Sequence, residues 1–374
     1  MKLLYITHLS GRRINRFWLS SIFAAHRLNI EFHIACNTDN ANENEWEHDC
    51  KKYGVITHHI DFDRDPFSCR NIAALSQLTR LMKKEKFDIV HCNTPVGGVL
   101  GRIAAKRAGC KYVIYEAHGF HFWKGGPIKN WILYYPIERF MAYYTDVILT
   151  INQEDFLASK KFKLRKGGYL KKIHGVGVEL NHKDKDKRSL NIRRELNIRD
   201  NDKIFISVGE LNKNKNHSLA IKAFAEANIP NSFFVICGEG PLRGNLMELA
   251  KNMGVGERVK ILGFREDVLD ILQESDVFVF PSYREGLSAS LMEAMASGLT
   301  CVASKIRGNV DLLGGHSNLL FNPNDESELV RALIKSVTSC KQEGKINKKI
   351  VQQYSIERVI GELKQVYRGI NDSI

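Results

Sequence analysis

Short apolar runs alternate with stretches of helical periodicity along most of the chain. The apolar runs have the length of strands and end at polar or breaker residues, as the run 277–280 ends at Pro281. Continuous runs of this kind are typical of parallel strands that are buried on both faces. The pattern therefore predicts an α/β chain with doubly wound parallel sheets.

The predicted elements form two series, one in each half of the chain. Strands are predicted at residues 2–7, 30–36, 55–60, 87–92, 112–115 and 146–151, and then at 203–208, 233–237, 259–262, 277–280, 300–303 and 319–321. Helices are predicted at residues 17–28, 71–84, 99–108, 246–253, 268–274, 290–297 and 355–370, and from residues 218 and 325 onward. The charged stretch 181–189 is typical of a linker. We therefore expect domains at 1–180 and 181–354, followed by a terminal segment at 355–374.

Length and composition are those of a globular chain. The 374 residues suffice for two domains of ordinary size. The sequence has neither an apolar run of 18 residues nor a leader pattern, so we expect no membrane span and no signal peptide. The eight cysteines include no Cys-x-x-Cys pair, which favours a reducing cytoplasmic location over a zinc site or a disulfide framework.

The positive charge lies mainly in the first half. Residues 1–180 hold 27 Lys and Arg against 17 Asp and Glu, whereas the remainder holds 28 against 25. A basic excess can indicate nucleic-acid binding, but no nucleic-acid motif is present. The excess favours an anionic membrane surface or a phosphorylated acceptor.

The stretch 276–311 contains the most specific pattern. A predicted strand leads into a loop with Glu285 and Gly286, and then into a helix ended by Gly298. A helix N-terminus beyond the carboxyl end of a strand suits a phosphate, and glycine lets the backbone approach a ligand. Two carboxylates there could hold sugar or ribose hydroxyls. The alternatives are that Glu285 is a solvated loop acid and that Ser290 and Glu293 form a capping box.

Three further features of the first half are candidates for function. His118 follows a predicted strand, as either a structural loop histidine or a site residue, and His121 has no third metal ligand nearby. Residues 120–144 combine dense aromatic residues with lysine and arginine, which suits either a membrane interface or a helix packed in the core. The basic run 160–172 fits a solvated surface or attraction to anionic lipid.

The string Pro-Ser-Tyr-Arg-Glu-Gly…Leu-Met-Glu-Ala-Met-Ala-Ser-Gly, with seven residues between Glu285 and Glu293, resembles the E-x7-E signature of family 4 retaining glycosyltransferases. The resemblance implies the GT-B fold, in which two Rossmann-like domains face each other across a cleft. It implies an acceptor-side first domain and a nucleotide-sugar-binding second domain. The terminal helix would cross back to the first domain.

The resemblance also implies roles for individual residues. Catalytic roles fall to His118, Glu285 and Lys215, and donor-binding roles to Gly11, Arg265, Gly286, Leu287, Ser288 and Glu293. Glu293 would hold ribose hydroxyls, and Glu285 and His118 would contact the donor sugar. Lys215, with the backbone N–H groups of Leu287 and Ser288, would stabilise charge on the leaving phosphate. This chain has Glu210 where the family usually has a phosphate-binding arginine.

The aromatic segment resembles family members from bacterial surface-polysaccharide clusters. This implies transfer of a hexosyl or N-acetylhexosaminyl group from a UDP-sugar to a polyprenyl-diphosphate-linked saccharide, at the inner face of the cell membrane. The absence of a suitable Asp-x-Asp pair agrees with catalysis that needs no metal and no cofactor. Two alternatives remain open: a sugar-nucleotide 2-epimerase of the same fold, and an inactive membrane-associated binder, which only Glu210 favours.

Overall fold

The computed structural model describes residues 1–180, 192–317 and 319–369. The chain divides into two compact units, one formed by Met1–Gly177 with Ile356–Ile374 and the other by Val178–Ser355. The predicted linker at 181–189 lies outside the described residues.

The first unit is built on a parallel sheet. Its strands are β1 (Lys2–Leu9), β2 (Glu31–Asn37), β3 (Val55–His59), β4 (Ile89–Asn93), β5 (Tyr112–Ala117), β6 (Val147–Thr150) and β7 (Tyr169–Lys172). Its helices are α1 (Leu19–His26), α2 (Glu43–Tyr53), α3 (Arg70–Glu85), α4 (Pro95–Ala108), α5 (Ile128–Met141) and α6 (Gln153–Ser159). The strand order is β3-β2-β1-β4-β5-β6-β7, and the order reverses between β1 and β4.

The second unit has a parallel sheet of the same kind. Its strands are β8 (Lys203–Val208), β9 (Ser232–Cys237), β10 (Val259–Gly263), β11 (Val277–Phe280), β12 (Thr300–Ser304) and β13 (Leu320–Phe321). Its helices are α7 (Ile192–Glu195), α8 (His217–Ala227), α9 (Arg243–Asn252), α10 (Val268–Gln273), α11 (Ala289–Ser297), α12 (Arg307–Leu313) and α13 (Glu326–Val351). The order is β10-β9-β8-β11-β12-β13, with its reversal between β8 and β11. The predicted class, two doubly wound parallel sheets, is confirmed.

A last helix, α14 (Ile356–Arg368), packs within the first unit. Its Glu357 accepts two hydrogen bonds from Arg27, and its Glu362 lies 2.6 Å from Nδ1 of His174. The hydroxyl of Tyr367, which is fully buried, lies 2.9 Å from Nδ1 of His91 in β4. Polar contacts therefore hold α14 near its start, its middle and its end.

One local prediction for the first unit was wrong. The strand at 146–151 is not the last, because β7 follows it inside the basic run. Helix α2, most of which lies in the polar stretch 39–49, is largely exposed, but its Asp49 is buried because Arg13 and the backbone N–H of Ile14 donate to it. In the segment 131–144, Tyr134 and Tyr135 pack against the core, whereas Ile132 and Phe140 are exposed, so α5 has one side on the core and one side at the surface.

Glu138 anchors the exposed helix α5 to the core. Its carboxylate accepts hydrogen bonds from Arg102 in α4 and from the Tyr115 hydroxyl in β5, each at 2.8 Å. Arg102 is fully buried, lies 3.9 Å from the Tyr115 ring and donates to the carbonyl of Gly98. Burial, and next the Glu138 carboxylate, raises the pKa of Tyr115, which keeps its hydroxyl a donor. The three side chains form one hydrogen-bonded network.

We predict that Arg102→Met destabilises the first unit by about 3–5 kcal/mol, because it leaves the Glu138 carboxylate buried without its cation. All four tryptophans lie in residues 1–177, so urea unfolding followed by tryptophan fluorescence reports on this unit. Arg107→Met, an exposed position on the same helix, should change stability by less than about 0.5 kcal/mol. Equal effects of the two substitutions would refute the network's role.

Candidate active site

Two loops meet where the strand order of the second sheet reverses. One follows β8 and carries Lys215, and the other follows β11 and carries Glu285. The Lys215 ammonium donates to Oε1 of Glu285 at 2.7 Å and lies 4.9 Å from the ring of Phe280. Both side chains are largely buried. The structure thus brings together two of the three residues predicted to be catalytic.

Backbone contacts hold the two loops against each other. The N–H of Tyr283 donates to the carbonyl of Asn214 at 2.8 Å, and the Asn214 side chain donates to the carbonyl of Arg284 at 3.0 Å. The side chain of Asn212 accepts from the N–H of Lys215. The Lys215–Glu285 pair therefore sits on loops whose course is fixed by other residues.

Helix α11 begins directly after the Glu285 loop. Its N-cap is Ser288, whose hydroxyl accepts from the N–H of Leu291 at 3.4 Å and lies 3.0 Å from the Ser290 hydroxyl. The alternative that Ser290 and Glu293 form a capping box is therefore wrong. The helix begins at Ala289, and its first turn contains no acidic residue. Glu293, the fifth helical residue, is half-buried and lies too far along for a capping box.

Helix α12, which the sequence pattern did not predict, and the end of β12 contact this loop from the other side. Arg307 Nε donates to the carbonyl of Glu285 at 2.9 Å, and the Ser304 hydroxyl donates to the carbonyl of Ser282 at 2.6 Å. A Cβ on Gly308 would lie only 2.0 Å from the carbonyl oxygen of Gly286. The sequence signal for this contact is Arg307-Gly308-Asn309, which follows the predicted strand 300–303. Glycine at position 308 permits close packing of two backbones.

The end of β9 packs as closely against the loop that follows β8. A Cβ on Gly238 would lie 1.9 Å from the carbonyl oxygen of Gly209. Glu210 is exposed at the position where the family usually has arginine. Arg265 lies after β10, and its guanidinium binds Asp267 and Glu195. The hydrogen bonds that Arg265 donates to these two carboxylates, Asp267 first, raise the pKa of Arg265.

The remaining predicted residues lie in the first unit. His118 follows β5, and its Nε2 is 3.1 Å from Oδ1 of Asn93 at the end of β4 and 3.6 Å from Glu116 Oε1. The other oxygen of Glu116 lies 3.1 Å from Nε2 of His91. Burial opposes ionisation of Glu116, but His118 and then His91 outweigh it, so the pKa of this carboxyl is lowered.

Asn93, Glu116 and His91 were missed from the sequence. Only the fold shows that β4 and β5 are neighbours, which brings Asn93 to His118. Gly11 lies in the loop after β1, and a Cβ there would meet the backbone carbonyl of Arg13 at 3.3 Å, closer than an ordinary van der Waals contact. Within residues 1–180, 192–317 and 319–369, no group of three or more His, Cys, Asp or Glu side chains is arranged to hold a metal ion.

Family models match both units. Residues 7–152 match the model described as glycosyl transferase 4-like, and residues 189–353 match that of glycosyl transferases group 1. The putative glycosyltransferase EpsD of Bacillus subtilis is 36% identical over 324 residues, which cover 84% of each chain. An Escherichia coli UDP-Gal:alpha-D-GlcNAc-diphosphoundecaprenol alpha-1,3-galactosyltransferase is 33% identical over 344 residues, covering 85% of this chain and 87% of the other.

A solved structure has the same fold. The crystal structure of Anabaena Alr3699/HepE in complex with UDP and glucose superposes with a TM-score of 0.80 at 18% identity, covering 99% of this chain and 100% of the other. Parallel sheets in two units, carboxylate and lysine loops at a strand-order reversal, and these matches together define a sugar-transferring enzyme. The chain belongs to the family 4-like, group 1 glycosyltransferases and has the GT-B fold.

We predict that Gly308→Ala lowers the rate of sugar transfer at least about tenfold, because the new methyl group forces the Glu285–Gly286 backbone to move and small misplacements at a reacting centre are costly. Gly315→Ala is the matched control, since nothing lies within 4 Å of a Cβ there. The measurement is the initial rate of transfer for both variants at equal folded fraction. An unaffected Gly308→Ala enzyme would show that α12 does not position the loop.

Proposed function

We propose that this glycosyltransferase moves a sugar from a UDP-sugar to a polyprenyl-diphosphate-linked saccharide, with retention of the anomeric configuration. The observation that carries the proposal is the Lys215–Glu285 pair at the carboxyl edge of the second sheet, next to the N-terminus of α11. In open α/β sheets, ligands bind at this edge, where the strand order reverses.

The proposed donor site follows from the chemistry of the two loops. An ammonium has three donor hydrogens, so Lys215 can bind a phosphate oxygen while it still holds Glu285. Glu285 then accepts from hydroxyls of the donor sugar, and Glu293 from those of the ribose. Gly286 allows a close backbone approach, and the N–H groups of Leu287 and Ser288 face the diphosphate together with the positive end of the α11 dipole. Arg265 contributes its backbone near the base.

In the proposed reaction, the bond between the anomeric carbon and the diphosphate oxygen breaks, and a bond to an acceptor hydroxyl oxygen forms. The acceptor proton leaves with the diphosphate. Lys215 and the N–H groups at the start of α11 stabilise the charge that develops on the leaving group, so no metal is required. In the first domain, His118 contacts the donor sugar, and Gly11 lies in a loop at the same sheet edge.

Support for the lipid-linked acceptor comes from the E. coli relative, whose name specifies a UDP-galactose donor and a diphosphoundecaprenol acceptor. The surface of α5 agrees with this proposal. Ile128, Ile132 and Phe140 expose 76%, 71% and 55% of their surface, and Lys129 and Arg139 stand among them. Apolar side chains with interleaved cations suit an anionic membrane surface, so we place the enzyme in the cytoplasm, peripherally bound to the inner face of the cell membrane. No described helix has the length and apolarity that crossing a membrane requires.

We predict that UDP raises the thermal stability of the enzyme, because a ligand that binds only the folded state at 100 times its Kd adds about 2.7 kcal/mol. The measurement compares melting temperatures with UDP, GDP, ADP and no nucleotide. We expect the melting temperature to rise with UDP and to stay unchanged with GDP and with ADP. A response to GDP alone would redirect the donor to a GDP-sugar, and the absence of any response would favour the inactive binder with Glu210 as the cause.

A further inference from the structure

The first unit contains a cavity of about 470 Å³. It lies between the segment 64–71, the N-terminal half of α4 and the middle of α5. Its volume is in the range of small-molecule sites, about 300–1,000 Å³. Most of its wall is apolar, with Val96, Val99, Leu100, Leu133 and Ile137 among the lining side chains.

The lining also contains polar groups and one cation. His8, next to the carboxyl end of β1, and the cation Arg64 both line the cavity. Burial, and to a smaller extent the Arg64 charge, lowers the pKa of His8. The Nδ1 atom of His8 is buried and has no hydrogen-bond partner in the part of the chain that the structure describes.

The single carboxylate in the lining, Glu138, is not available to bind a cation in the cavity. Arg102 and the Tyr115 hydroxyl occupy its two oxygens from the core side. The cavity is therefore an apolar pocket whose free charge is positive. That combination matches a ligand that joins a hydrocarbon to an anionic group, and it does not match a neutral sugar or a cation.

The surface around the cavity is also positively charged on one side and apolar on the other. A second concavity shares Phe67 and Leu100 with the first and is lined by three cations, Arg80, Lys83 and Arg107. None of the three forms an ion pair with a carboxylate among residues 1–180, 192–317 and 319–369. On the other side, Leu133 and Ile137 join the cavity to the exposed apolar residues of α5.

We propose that this cavity binds the first isoprene units of the lipid-linked acceptor, with Arg64 and His8 on its diphosphate. This inference rests on the proposed function. It places the diphosphate at the carboxyl edge of the first sheet, where His118 also lies. The hydrocarbon runs the other way, through the apolar pocket and out along α5 toward the membrane.

The test is calorimetric titration of farnesyl diphosphate, a soluble probe with three isoprene units, into the full-length enzyme. UDP is present at saturating concentration, so that a diphosphate site in the second unit is blocked. Farnesol and inorganic pyrophosphate are titrated in parallel. We expect farnesyl diphosphate to bind at least tenfold more tightly than either fragment.

Variants then locate the site. Val99→Trp fills the cavity, and Leu133→Asp charges its half-exposed rim without touching the core. We expect each to weaken binding of farnesyl diphosphate at least tenfold, and Arg64→Glu to do the same. Lys222→Glu, an equal change of charge at an exposed position in the second unit, should leave the affinity unchanged. Melting temperatures in the absence of ligand show which variants remain folded.

Three outcomes would overturn the inference. Pyrophosphate could bind as tightly as farnesyl diphosphate, or folded Leu133→Asp and Val99→Trp could both keep the wild-type affinity. The protein could also bind phosphatidylglycerol vesicles but not farnesyl diphosphate, which would make this surface a membrane contact only. None of these results depends on sugar transfer, and the response to UDP alone reports separately on the proposed donor site.

Discussion

The reversal of strand order between β8 and β11 is the constraint on which the proposed donor site depends. Two neighbouring parallel strands whose connections leave in opposite directions open a crevice beyond their carboxyl ends. The loops after these strands are far apart in sequence, yet they meet there, and the 2.7 Å contact between Lys215 and Glu285 is the result. Neither residue could serve a common ligand without that topology.

Close backbone packing makes the crevice rigid. Gly308 lies against Gly286, and Gly238 against Gly209, so each of the two loops is backed by a neighbouring chain segment with no space for a side chain. The hydrogen bonds of Asn214 then tie the loops to each other. A site that must hold a sugar and a diphosphate at once needs such preorganisation, because a loosely held loop would lose much of the binding energy to ordering.

The sequence predicted the features that are encoded locally. Strands such as β8 and β11 are continuous apolar runs that end at a breaker or a glycine, so their positions could be predicted closely. The Glu285 loop was found through its resemblance to a family signature. The first helical residue of α11 was not found, since Ser288 and Ser290 are both good N-cap residues and only the packed loop selects between them.

The missed features depend on contacts between distant residues. The short strand β7 is hidden in a basic run because an edge strand at the surface needs few apolar side chains, and pairing with β6 defines it. A sequence pattern predicts that the Asp49 carboxylate is at the surface because it is polar. The hydrogen bond that Arg13 donates to it makes its burial favourable. In the same way, Asn93 and Glu116 acquire a relation to His118 only through the order of β4 and β5. The domain boundaries and the roles of individual site residues stay predictions.

Calorimetric titration of UDP, which measures its affinity, tests most directly whether Lys215 binds the diphosphate of the donor. Lys215→Met should weaken UDP binding by about 1.5–3 kcal/mol, which is roughly tenfold or more, because a charge-assisted hydrogen bond is lost. Lys213→Met, an exposed lysine of the same loop, should bind UDP as the unaltered enzyme does. Unchanged affinity in folded Lys215→Met would contradict the claim and would separate the Lys215–Glu285 pair from nucleotide binding.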